Sequence, residues 1–143
     1  MINMIAQISL SSNIYDSISK AKETLDREYQ DALDWITDIK ENPKRDKMNK
    51  CEICGHSDGK LELHHVRGIK HGNETITACQ ECHEILTYKQ NSWDRSWLNP
   101  NAENKEVFLK KGLIDICELK YEKTGKEIYK LISKNLLRGF SYD

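Results

Sequence analysis

Apolar residues three and four apart dominate the first third of the chain. Ile14, Ile18, Ala21, Leu25, Ala32, Trp35 and Ile39, with Tyr29 beside the seam, predict one long helix with a single buried stripe. Ser12 or Asn13 would cap its start. Asn42-Pro43 should stop it near Glu41, because proline has no N–H and disfavours helix at the residue before it. The first ten residues are expected to be irregular or docked. The outer face carries Asp16, Glu23, Asp26, Glu28, Asp31, Asp34 and Asp38 and would repel phosphates. The helix is therefore expected to pack or dimerise, as the contact to a second copy or another protein partner.

The pattern then changes period. Lys60–Val66 alternates Leu61 and Leu63 with Glu62, as a strand does, and Thr75–Ala78 is its expected partner across the loop 67–74. A short helix should begin at Cys82 and run through Ile85, Leu86 and Tyr88. Asn99-Pro100 suits another helix start, and helical spacing resumes with Val107, Phe108, Ile114, Cys117 and Tyr121, with Gly112 as a candidate break. Thr124-Gly125-Lys126-Glu127 has the form of a capping box for a last helix to about Arg138. The expected fold class is α+β: an N-terminal helical extension over 1–43, a small metal-bearing core over 44–98 and a C-terminal helical region over 99–143.

Composition narrows the functions. No apolar run approaches the length of a membrane span, and no secretory signal is read at Met1, so a cytoplasmic setting is expected. Five cysteines in 143 residues could be a disulfide scaffold, but four of them form two pairs, Cys51-x-x-Cys54 and Cys79-x-x-Cys82. Two such turns in a chain without a signal read as a four-thiolate structural Zn²⁺ site, closed to substrate. Cys117, on an apolar helix face, reads as an ordinary buried cysteine.

Between and after the knuckles lie His64-His65 and His83. The stretches Cys51-Glu-Ile-Cys54-Gly, Leu61-Glu-Leu-His-His-Val66 and Thr75-Ile-Thr-Ala-Cys79-Gln-Glu-Cys82-His83 resemble the zinc-bearing members of the HNH nuclease superfamily, the ββα-metal or His-Me finger enzymes. The tail Leu86–Trp93 resembles a bacterial and phage subgroup. The resemblance runs from Cys51 to about Trp93 and leaves both flanks outside. It implies a ββα core and DNA phosphodiester hydrolysis in a bacterial or phage-infected cell. It further implies that His64 and His83 bind a catalytic divalent ion, with His65 as general base. Asn73 is its candidate for the middle residue that braces the base-bearing loop. Asn73 stands about one residue out of the common register, with Glu74 or Thr75 as alternatives.

The chemistry suits these residue types. A neutral imidazole can take a proton from water, and a divalent ion with open positions can hold the phosphate and neutralise the leaving oxygen. Neighbouring residues of a regular strand face opposite ways, so His64 and His65 can share a site only at a strand end or bulge, and a deformed first strand is expected. Many relatives carry Asp where this chain has His64. Two imidazoles without a carboxylate favour Zn²⁺, Ni²⁺ or Mn²⁺ over Mg²⁺ as the catalytic ion.

The net charge of −1 is unusual for a DNA-binding chain. Lys44, Arg45, Lys47, Lys50, Lys60, Arg67 and Lys70 are the stretch available to phosphates. Trp93 and Trp97 could stack on bases, though packing on the core is the favoured reading; His56 and His71 read as exposed. Against the nuclease stand two rivals: an inactive zinc-stabilised binding module of the same shape, and a zinc-ribbon regulator dimerised through its long helix.

Overall fold

The computed structural model describes residues 4–93 and 105–138. Among them the fold is α+β, with four helices and one two-stranded antiparallel sheet. The helices are α1 (Met4–Glu41), α2 (Gln80–Asn91), α3 (Lys105–Thr124) and α4 (Glu127–Arg138); the strands are β1 (Leu61–His65) and β2 (Thr75–Cys79). The sheet and α2 are continuous, since Cys79 ends β2 and is also the residue preceding α2. The helix start suggested by Asn99-Pro100, and Trp97, lie outside the described residues. No described helix is long and apolar enough to cross a membrane.

α1 begins well before Ser12: from Met4 onward the chain is helical, where an irregular or docked start was expected. At 38 residues it is about 57 Å long. The apolar stripe is continuous in sequence but only its C-terminal part is used. Ala32 and Ile39 are fully buried and Trp35 packs beside them, whereas Ile14, Ile18, Leu25 and Tyr29 are each more than half exposed. The period of a stripe records amphipathicity, and does not specify which stretch the body of the protein will cover. The helix ends at Glu41, as Asn42-Pro43 demands.

Ile39, Ile53, Val66, Ile76, Leu86 and Ile116 form the centre of the main core, which joins the end of α1, the first knuckle, the sheet, α2 and α3. A buried polar hub ties the same parts together. Glu52 accepts hydrogen bonds from Trp35 Nε1 (3.1 Å), from the Thr77 backbone N–H and from the Arg45 guanidinium. Arg45 also bonds Asp38 (2.8 Å) and the Thr75 carbonyl (3.0 Å). Lys120 donates to the Glu52 carbonyl at 2.8 Å and lies 3.7 Å over the Trp35 ring. Burial draws its pKa down to about 8.

Gly112 does not break its helix. α3 runs through it, and the missing side chain lets the helix lie against the end of the hairpin: a Cβ there would sit 2.0 Å from the Val66 carbonyl oxygen. Cys117 is buried, and its thiol is pushed up to about 12 by that burial. At the end of α3, Thr124 Oγ1 bonds back to the Lys120 carbonyl and accepts the Lys126 N–H, while Gly125 takes φ +71°. The segment thus closes α3 rather than forming the expected capping box, since Thr124 is the last residue of α3 and α4 begins at Glu127, whose carboxylate accepts from Tyr121.

Candidate functional site

The four paired cysteines converge. Their sulfurs all lie within 4.8 Å of one another, with Cys54 and Cys79 at 3.8 Å. A tetrahedral ion with metal–sulfur bonds of about 2.3 Å requires sulfur–sulfur edges of about 3.8 Å, so the site fits a metal such as zinc. Local backbone makes this bite. Gly55 at φ +78° lets its N–H turn back to the Cys51 carbonyl (2.9 Å), and the Cys54 N–H points at Cys51 Sγ (3.5 Å). Cys79 and Cys82 sit at the N-terminus of α2, whose dipole favours negative sulfur. Burial opposes ionisation of Cys51, yet backbone N–H groups from Cys54, Cys79 and Ile53 bring it down to about 7. Burial and neighbouring sulfurs push Cys82 the other way. Four thiolates this close need a cation.

A second cleft, of about 750 Å³, opens on the hairpin side of α2. His64, His65, Arg67, Lys70, His71, His83 and Gln90 are among its lining residues. His64 is 2 % exposed and its ring meets that of His83 edge-on, centroids 5.5 Å apart at 72°. Two imidazoles sharing one ion would hold their ring centres about 5 Å apart, given metal–nitrogen bonds of about 2.1 Å. The spacing of the pair is of that order, yet among the described residues only the four cysteines form a group of three or more metal donors, and His64 Nε2 lies 3.3 Å from the Gln90 side-chain nitrogen. Burial, then the neighbouring His83 and His65, draw the His64 pKa down to about 3, so its ring is neutral at ordinary pH.

The sheet reaches this arrangement without a bulge. β1 and β2 pair unbroken from Leu61↔Cys79 to His65↔Thr75, so the expected deformation is absent. His65 is instead the last residue of β1. The chain turns immediately, with the Gly68 N–H on the His65 carbonyl at 3.0 Å and Gln90 Nε2 on the same oxygen at 2.7 Å. The His65 carbonyl is thereby held by two donors. The faces of β1 are also assigned differently from the leucine pattern. Leu63 is exposed, while Glu62 and His64, two residues apart on the other face, look toward α2.

Glu62 was missed by sequence reasoning. Its carboxylate hydrogen-bonds His83 Nδ1, and this contact holds the carboxyl below the usual carboxylate range. Glu62 does not itself line the cleft but places a carboxylate directly behind His83. Gln90 was missed too, although His83, Thr87 and Gln90 follow helical spacing and share the cleft.

Asn73 is exposed on its loop, whereas the neighbouring Glu74, one of the two alternatives to it, makes contacts across the loop. Glu74 is buried, its backbone carbonyl accepts the Val66 N–H at 2.9 Å, and its carboxylate grips Arg67 through Nε (2.8 Å) and a terminal nitrogen (2.8 Å). Of the expected phosphate-binding residues, Arg67 and Lys70 line the cleft. Lys44, Lys47, Lys50 and Lys60 are exposed but do not line it. Arg45 must be removed from the set: its side chain is 9 % exposed and engaged by Asp38 and Glu52. The charge run hid a structural arginine. His56 is exposed as expected, whereas His71 is half-buried and stacked 4.2 Å from Phe108. Trp93 packs, with Nε1 on Asp115 at 2.8 Å and its ring 6.0 Å from Phe108.

Comparison of the chain with family models, with curated proteins and with solved structures gives no match.

Proposed function

We propose that this chain is a metal-dependent DNA endonuclease of the HNH type, braced by a structural zinc on Cys51, Cys54, Cys79 and Cys82. The observation that carries this reading is the approach of His64 to His83 within a cleft that His65 also lines. A divalent ion on His64 and His83 would supply charge neutralisation at the scissile phosphate. His65 accepts the proton of the attacking water as the new P–O bond forms and the leaving oxygen departs. Its peptide, held by Gln90 and Gly68, keeps the imidazole at the mouth of the cleft. Glu74 fixes Arg67 beside it, and the exposed Lys70 at the rim is placed to meet a strand phosphate. Among the described residues no element resembles a base-reading module, so little sequence preference is expected from this chain alone.

The test is plasmid nicking by full-length protein across Mn²⁺, Ni²⁺, Zn²⁺ and Mg²⁺, with His65→Ala beside wild type. Loss of a proton-transfer group should slow cleavage by about 10²–10⁴-fold. Equal rates would remove His65 as the base. One observation favours the binding-module reading: Arg45 is internal and Arg67 is tied to Glu74, which thins the phosphate-binding surface. Absence of cleavage with every ion, together with retained zinc, would select it.

A further inference from the structure

Glu62 touches the ring nitrogen of His83 that faces β1, and it does so from the strand face that also carries His64. The three side chains come from two elements but meet on one side of the hairpin. The other Glu62 oxygen lies 3.6 Å from Lys60 Nζ, and that lysine is mostly exposed. As a surface ion pair Glu62–Lys60 would be worth little. Its contact with His83 has a different consequence. An imidazole has two nitrogens, and the partner of one determines what the other can offer. With Nδ1 taken by a carboxylate, His83 presents Nε2 as an unprotonated donor.

We propose that Glu62 is a positioning residue for the divalent-ion site: it accepts the Nδ1–H of His83, fixes that tautomer and turns the Nε2 lone pair toward the ion shared with His64. The inference rests on the two-histidine metal reading above. It also supplies the negative charge that two imidazoles lack, so the site accepts a harder divalent ion such as Mn²⁺ rather than only softer ones. Glu62 is half-exposed and outside the core, so its replacement leaves the fold standing. A carboxylate partner of this kind is worth about 10–100-fold in metal affinity.

The experiment uses full-length protein with zinc on the cysteines, titrated with Mn²⁺ and followed by calorimetry and electron paramagnetic resonance. Wild type should bind one further ion, Glu62→Ala should weaken that ion by about 10–100-fold, and Glu62→Gln should fall between, since the amide oxygen still accepts from Nδ1. Zinc content should be equal in all three. Nitrogen-15 spectra of the Mn²⁺-free protein should place the His83 proton on Nδ1 in wild type and shift it toward Nε2 in Glu62→Ala, which a purely structural role would not do. Unchanged affinity in Glu62→Ala, or a wild-type proton on Nε2, overturns the role of Glu62 while leaving the histidine site intact if His83→Ala abolishes binding. Failure of wild type to take any second ion overturns the two-histidine site itself, and this proposal with it.

Discussion

Replacing Gly112 by alanine in an ordinary helix interior should stabilise the protein by about 1 kcal/mol, because alanine costs less backbone entropy. Here the sign should reverse. The added Cβ would lie 2.0 Å from the Val66 carbonyl oxygen and 2.8 Å from its carbonyl carbon, where ordinary contact begins at 3.4 Å. Relief requires α3 and the end of the hairpin to separate by about 1.4 Å, the difference between those distances. The obstacle is backbone on both sides, so no rotamer change can absorb it. Overpacking of this kind costs about 1–3 kcal/mol and sometimes more. The clash should outweigh the propensity gain and leave a net loss of up to about 2 kcal/mol. Val66 follows His65 directly and hydrogen-bonds Glu74, so the displacement also reaches the cleft. Urea denaturation of zinc-loaded Gly112→Ala should show a lower midpoint with an unchanged slope, and a melting temperature roughly 4–8 °C lower. Nicking should fall as well. A variant as stable as wild type, or more stable, would mean that α3 does not lie against Val66.

Three further outcomes follow from the same contacts. Arg45→Ala should cost about 3–5 kcal/mol of stability by stranding buried Glu52, while the salt dependence of DNA binding stays as in wild type; a shallower salt slope would return Arg45 to the phosphate surface. Acid should weaken the fold through His64, because the unfolded chain takes up a proton near pH 6.5 that the folded ring refuses until about 3. Stability from this group is whole above pH 6.5 and declines as pH falls toward 3, by about 2 kcal/mol between pH 6.5 and 5. His64→Asn should remove that part of the pH dependence, and a wild-type resonance assigned to the His64 imidazole that titrates near 6.5 would contradict it. Native mass spectrometry should find one tightly held zinc per chain that Cys79→Ser loses, with chelation unfolding the hairpin and α2 together; retained zinc in that variant would dismiss the four-sulfur site.

The knuckles were legible because their chemistry is local: two residues between cysteines set the bite whatever surrounds them. The hairpin and the helix after Cys79 were legible for a similar reason, since the period changes over a few residues. What the sequence concealed depended on partners distant along the chain. Glu62 looked like the outward residue of an alternating strand, because Leu61 and Leu63 are the apolar pair; α2 packing over the other face is what brings Glu62 against His83. Arg45 sat in a basic run and looked solvated, but Glu52 and the Thr75 carbonyl draw it inward. Gly112 read as a break because propensity counts the missing side chain as a loss, whereas Val66 needs that space. The N-terminal part of α1 kept its stripe and lost its cover, something periodicity cannot report.

Cys79 closes a strand, precedes a helix and supplies a sulfur, and His83 stands four positions further on. An ion held by the four cysteines would therefore set the orientation of the first turn of α2, and without it the alignment of His83 with His64 would be lost even with every residue of the cleft intact. On the function proposed above, the supply of one metal would then govern whether the seat of a second exists.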